Sequence, residues 1–256
     1  MCLILLSYKN SLSNLLVLAG NRDEFYDRPT SFANFWPDES NILAGRDLKW
    51  GGTWLGITKT GRIAALTNYR DPANDKDNAP TRGQIVSNYL CDHDEPIEYL
   101  YKLKMISSYY NGFSLFLGDL SQLYFFSNRE GTIHKLMPGS YGISNNLLSK
   151  PWPKVKHGIW AFQDAISKTR SLSSETLFEV LSNRARYEDR ELPNTGVGLQ
   201  WERILSSIFI VNPAFGTRCS TVLLIDHNYN VTFIERSFDS NQNMINESKY
   251  TFKIIR

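Results

Sequence analysis

Apolar positions along this chain fall into short runs broken by polar turns. Residues 3–8 and 15–19 are near-continuous apolar runs separated by Lys9-Asn10-Ser11. Runs of that length without strict alternation predict strands covered on both faces. Gly20 follows the second run, where glycine's backbone freedom predicts a bend before Asn21. Residues 54–57 and 62–67 predict a second hairpin turning at Lys59-Thr60-Gly61, with Asn68-Tyr69-Arg70 at its end. Residues 113–118 and 123–127 predict strands around a polar link, followed by 132–136 and a short strand at 141–146. Residues 220–225 and 231–234 predict a hairpin through His227-Asn228-Tyr229-Asn230, and 250–255 alternate as a final strand.

Helical spacing appears in two blocks. Residues 83–90 and 96–106 form the first, with Pro96 suited to a first helical position. The second holds 153–167, where Val155, Ile159, Phe162 and Ile166 share a face, then 175–181 and a single turn at 201–206. Residues 26–41, with Pro29 and Pro37, predict a loop carrying Phe32, Phe35 and Trp36; 71–79 and 182–199 predict further loops. Strands in hairpins with helices inserted in blocks predict an α+β fold with mostly antiparallel sheet. No linker or repeat divides the chain, so residues 1–256 read as one domain.

Composition narrows the classes. The 256 residues are 42% hydrophobic and 13% aromatic, enough for a sizeable core. A net charge of +2 gives no reason to expect nucleic acid or an acidic membrane surface as partner. No apolar run reaches membrane-span length, and 3–6 is too short for a signal-peptide core, so a soluble, cytoplasmic protein is expected. The widely spaced Cys2, Cys91 and Cys219 suggest a reducing compartment rather than a disulfide framework. With scattered histidines and neither C-x-x-C nor H-E-x-x-H, no metal site is expected.

The first residues carry the candidate chemistry. Removal of Met1 would leave Cys2 with a thiol and a free α-amine on one residue. A thiol titrates near ~8.5 and an α-amine near ~7.7–8.0, so the amine can take the thiol proton and activate the nucleophile. A strand returning from the first hairpin would bring Arg22 and Asp23 beside Cys2. Cysteine is also among the most often buried residues, so Cys2 equally reads as the head of a buried strand.

Asn21-Arg22-Asp23-Glu24 is the tetrapeptide of the NRDE family, and ten further blocks match it in order. They include Gly45-Arg46-Asp47, Gly51-Gly52-Thr53-Trp54, Leu66-Thr67-Asn68-Tyr69-Arg70, Tyr141-Gly142-Ile143-Ser144-Asn145, Pro151-Trp152-Pro153-Lys154-Val155 and Glu235-Arg236-Ser237-Phe238. The chain therefore resembles this family from Cys2 to about Asp239. The resemblance implies a relative of N-terminal nucleophile hydrolases: a four-layer sandwich, two antiparallel sheets between helical layers.

In the Cys-type hydrolases of that class, an N-terminal Cys cleaves amides. The resemblance puts Cys2 as nucleophile, Asp23 on its α-ammonium, Asn68 and Asn145 at the oxyanion, and Arg218 beside the thiolate. Arg22 departs from the usual upstream place of an early Arg, so its role stays open, as does the choice of Asn145 over Asn146. Substrates would be amides or thioesters of small acyl compounds, with no cofactor needed.

Plainer roles stand beside these. Asp23 and Arg22 could be a salt bridge in the first hairpin, and Arg218 could pair with Glu24 or Asp47. Asn68 and Asn145 could cap strand ends. The resemblance also implies a different class, a non-catalytic carrier of haem or acyl lipid linked to Golgi organisation. Phe32, Phe35, Trp36, Trp50 and Trp54 would then line its apolar pocket, with Cys2 or a histidine as axial ligand.

Overall fold

The computed structural model describes residues 2–168 and 172–255. The strands are β1 (Cys2–Tyr8), β2 (Asn14–Phe25), β3 (Thr30–Phe35), β4 (Ile42–Asp47), β5 (Leu55–Thr58) and β6 (Ile63–Asn68). They continue as β7 (Phe113–Gly118), β8 (Leu123–Ser127), β9 (Ile133–Lys135), β10 (Gly139–Ile143), β11 (Phe215–Asp226), β12 (Asn230–Phe238) and β13 (Met244–Lys253). The helices are α1 (Gly83–Cys91), α2 (Pro96–Ile106), α3 (Pro153–Ser167), α4 (Ser174–Leu181) and α5 (Leu199–Leu205).

Two antiparallel sheets form. One runs β10-β1-β2-β11-β12-β13, the other β3-β4-β5-β6-β7-β8-β9. Side chains alternate between faces along a strand, so each central strand feeds two cores. Cys2, Ile4 and Leu6 of β1 and Leu16 and Leu18 of β2 point into the space between the sheets. There they meet Leu43, Leu55, Ile57, Ala65, Phe116 and Phe125. Leu3 and Leu5, with Val17 and Ala19, point the other way, onto Val155 and Phe162 of α3 and Leu177, Phe178 and Leu181 of α4. Helices α1 and α2 cover the outer face of the second sheet through Ile85, Val86, Tyr89, Leu100 and Leu103. This is the expected four-layer α+β sandwich. Both-sided burial explains why β1 and β2 lack polar alternation, and each buried Leu or Ile contributes about 1.5–3 kcal/mol. No helix among the described residues is long and apolar enough to cross a membrane.

Three expectations are corrected. The loop expected at 26–41 contains β3, an edge strand whose polar, half-exposed residues carry little hydrophobic signal. The final strand is longer than 250–255, because edge strand β13 presents one side to solvent and reads as polar. Gly20 makes no bend, since β2 runs straight through it to Phe25. Glycine is required there for space: a Cβ would lie 2.8 Å from the Leu3 carbonyl oxygen and 3.1 Å from the Trp54 ring.

Candidate active site

Cys2 opens β1 and pairs across the ladder with Arg22 of β2, which pairs in turn with Cys219 of β11. Directly paired residues share a face, so Cys2, Arg22 and Cys219 form one row pointing between the sheets. That row lines a cavity of about 170 Å³. Its other walls include Glu24, Arg28, Asp47, Trp54, Asn68, Arg82 and Glu235. Gly52 and Gly83 close one wall, and a Cβ on Gly52 would fall 2.5 Å from the Gly83 carbonyl carbon.

Burial pushes the Cys2 thiol up to about 11; Arg22 pulls against this and Asp23 pushes with it. The Arg22 guanidinium is lightly held, 3.5 Å from the Thr30 hydroxyl and 3.7 Å from a Glu24 carboxylate oxygen. By contrast, Arg28 grips Asp47 with both arms at 3.1 and 2.5 Å. Glu235 accepts from the Ala33 N–H at 3.1 Å and the Thr221 hydroxyl at 2.8 Å, tying β12 to β3 under the cavity. Burial raises its carboxyl above the usual range.

Asn145 and Asn68 meet at the cavity's edge. Asn145 is buried in a left-handed conformation (φ 55°) that asparagine tolerates better than most residues. Its side-chain amide donates to the Asn68 carbonyl at 2.9 Å, and its own carbonyl accepts from the Arg70 N–H at 2.9 Å. Next to it, the Ser144 hydroxyl donates to the Cys2 carbonyl at 2.9 Å. Asn145 therefore fixes the backbone of Asn68 and Arg70 and Ser144 that of Cys2, while Asn68 itself lines the cavity.

Arg218 is not in that cavity wall. The β2–β11 register slips between Thr217 and Cys219, leaving Arg218 as the extra residue of a bulge. Its guanidinium donates to the carbonyls of Phe25, Tyr26 and Arg28 at 2.8, 3.1 and 3.1 Å, clasping the turn after β2. Neither Glu24 nor Asp47 is its ion-pair partner among the contacts of the described residues. The bulge puts Cys219 at the inward position instead.

Asp23 is also in the cavity wall, between Arg22 and Glu24. It is fully buried and accepts from the Thr217 hydroxyl at 2.8 Å. Burial raises its carboxyl, with Lys154 the strongest opposing influence. Of the aromatics expected to form an apolar pocket, Trp54 reaches the cavity. Trp36 packs under α1 and α2, Phe35 packs against the inter-sheet core, and Trp50 and Phe32 are largely exposed. The free α-amine of Cys2 depends on removal of Met1, which lies outside the described residues.

Residues 1–240 match the family model described as Transport and Golgi organisation 2. The chain belongs to this family. It is 39% identical over 238 residues to the human Transport and Golgi organization protein 2 homolog, covering 87% of this chain and 86% of that protein. The Drosophila melanogaster Transport and Golgi organization protein 2 is 32% identical over 247 residues, with the same coverage of each. Among solved structures, a conjugated bile acid hydrolase from Clostridium perfringens superposes with a TM-score of 0.53 at 11% identity, covering 99% of this chain and 97% of that one. That likeness establishes the N-terminal nucleophile hydrolase-like fold for this Transport and Golgi organisation 2 family member.

Reading by residue type missed Glu235 of the cavity wall, which follows the apolar run 231–234, and the buried charges Lys154 and Glu202, which lie far apart in sequence. The signal available for Lys154 and Glu235 was a charged residue within a family block, Pro153-Lys154 and Glu235-Arg236. A charge in an apolar segment is kept only where the fold supplies partners.

Proposed function

We propose that the chain is a Cys-type N-terminal nucleophile hydrolase acting on amide or thioester bonds of small acyl compounds. One observation supports this best: the Cys2 thiol heads β1 on the inner face and lines the cavity between the sheets beside the lightly held Arg22. The fold neighbour's printed activity, hydrolysis of conjugated bile acids, is consistent with this class.

In the reaction, the freed α-amine of Cys2 takes the thiol proton and the thiolate attacks the carbonyl carbon. Arg22 supplies the cation beside the thiolate, the role expected of Arg218. Asn68, lining the cavity, donates to the developing oxyanion, and Asn145 positions it. The C–N or C–S bond breaks as the leaving group takes the ammonium proton, leaving an acyl thioester on Cys2. Water, deprotonated by the amine, attacks that thioester and releases the carboxylate. Asp23 holds the ammonium form by a charge-assisted hydrogen bond.

Haem fits less well. The cavity of about 170 Å³ is walled mostly by charged and polar side chains, and among the described residues no histidine lines it. Sites for drug-sized ligands run to about 300–1,000 Å³ and are predominantly apolar. No step is routed through haem.

The test uses protein beginning at Cys2 and a panel of chromogenic short-chain acyl amides and thioesters. Cys2→Ala and Cys2→Ser should lose turnover to background while keeping the wild-type melting temperature within a few degrees. Unchanged turnover in either variant overturns the mechanism.

A further inference from the structure

The four arginines that line the Cys2 cavity differ in what neutralises them. Arg28 meets both oxygens of Asp47. Arg46 meets both oxygens of Asp38 at 2.5 and 2.8 Å, and its Nε donates to the Gly51 carbonyl at 3.0 Å. Arg22 has only its long contacts, with Glu24 as the nearest carboxylate. Arg82, the residue before α1, has less. Its Nη1 donates to the Gly112 carbonyl at 3.0 Å, and among the described residues no carboxylate stands at ion-pair distance from it. The edge formed by its Nε and Nη2 has no acceptor among those residues. Burial holds this guanidinium below its usual pKa, and the acids that oppose the effect, Asp75 foremost, act from farther away. A cation drawn out of water in this way is costly to keep without an anion.

The chemistry of the missing anion follows from the walls. An Nε–Nη2 edge takes a carboxylate in two parallel hydrogen bonds. A phosphate dianion calls for more donors, and no lysine lines the cavity among the described residues. The space of about 170 Å³ also holds only a compact ligand. Glu24 stands beside Arg22 and would repel an anion there, which leaves Arg82 as its seat. Burial raises the carboxyls of Asp23 and Glu235, which lessens their repulsion. One cavity thus offers two positions. Cys2 and Arg22 stand on the paired strands β1 and β2, and Arg82 comes from the segment that leads into α1 of the other sheet's helical layer.

We propose that the acyl compound taken by the Cys2 cavity carries a carboxylate a few bonds from its scissile carbonyl, and that Arg82 selects it. This rests on the reading of the cavity as a substrate site and narrows it from small acyl compounds in general to anionic ones. The carboxylate can stand on the acyl side or on the leaving-group side of the scissile bond; the recognition chemistry is the same, and the probes below separate the two. Arg82 binds substrate away from the reacting atoms, so it sets specificity and takes no part in the bond changes.

The test reads binding by NMR titration on the Cys2→Ala protein, which cannot turn the probes over. Two probe pairs are used. Glutaramate and its neutral diamide carry the charge on the acyl side; N-acetylglycine and N-acetylglycinamide carry it on the leaving-group side. In at least one pair the carboxylate should bind about tenfold or more tightly than its neutral amide, and that pair names the side. A ratio under about twofold in both pairs overturns the proposal. Adding Arg82→Gln should bring the ratio to about twofold or less while the neutral amide binds as before. Loss of both members alike, with the ratio kept, marks a merely structural arginine and overturns it. Should Arg82→Gln fail to fold, Arg82→Lys reads the same ratio. It should fall by about threefold or more, because one ammonium cannot form the two parallel bonds; an unchanged ratio overturns the proposal. Wild-type protein that cleaves neutral acyl amides without this charge preference would sink the anion site and leave the hydrolase reading standing. A charge preference lost in Arg82→Gln, in protein that cleaves nothing, would do the reverse.

Discussion

The two faces of β2 differ in how they treat polar side chains. On the helix face, Asn21 donates to the carbonyls of Leu181 and Ile208, both at 2.9 Å, and accepts from the Ser220 hydroxyl at 2.7 Å. Asp23, two residues on, is equally buried, accepts from Thr217 of β11 and borders the cavity. On the cavity face, Arg22 makes contacts of 3.5 and 3.7 Å, and Glu24 caps its neighbour's N–H at 3.0 Å while lining the cavity. One tetrapeptide thus serves two purposes by alternation. Its first residue ties the sheet to the segments after α4 and α5, its third bonds the neighbouring strand β11, and its second and fourth present charge to a space that can admit a small molecule. Tight satisfaction marks the structural side, and loose satisfaction marks the side kept ready for a ligand.

The largest effect should come from the locked face. Asn21→Ala strands two buried carbonyls and the Ser220 hydroxyl, each costing about 1–3 kcal/mol, or about 3 kcal/mol together after relaxation. For a chain of this size the melting temperature should fall by about 10 °C. Thermal denaturation followed by circular dichroism reads this. A fall of less than about 2 °C would mean that the helix face is not held as the hydrogen bonds indicate.

Arg22→Met should behave oppositely. Its contacts are long, so stability should change by no more than about 1 kcal/mol. Reactivity of the Cys2 thiol should nonetheless fall about tenfold at neutral pH, because the cation beside it is gone. Arg218→Met, which removes a clasp on the turn after β2, should leave Cys2 reactivity within about twofold of wild type. If the two arginine variants exchange these behaviours, the assignment of the cavity cation to Arg22 is reversed.

This contrast also shows what the sequence carried. The hairpins around 2–25 and 215–238 were legible because both-sided burial makes long apolar runs, and Pro96 and Pro153 marked helix starts. Strand β3 was not legible and β13 only in its last residues, since edge strands need no buried face and most of their residues read as loop. In the site, Cys2, Arg22 and Asp23 could be placed together because a hairpin brings residue 2 opposite residue 22. Arg218 could not be placed, because a one-residue bulge leaves no trace in residue type and yet exchanges the inward position for Cys219. Lys154 and Glu202 come together only when α3 and α5 pack behind the sheet, information held in tertiary contacts rather than in any local pattern.

The smallest effect concerns Glu235, which breaks the comparison, being tightly satisfied yet on the cavity side. Both its oxygens accept hydrogen bonds, and burial holds its carboxyl above the usual carboxylate range. A group whose folded pKa lies above its unfolded value stabilises the fold while protonated. That contribution is fully present below the unfolded pKa and is lost as pH rises through the raised folded pKa. Glu235→Gln keeps the shape and an acceptor for Ala33 but cannot lose a proton, so this loss should vanish. Melting temperatures of wild type and variant should draw apart in the variant's favour as pH climbs from about 4 to about 8. Parallel curves would show that Glu235 has the same proton affinity folded and unfolded, as a water-exposed carboxylate would. It would then belong with the loosely held charges of the cavity rather than with the structural ties between the sheets.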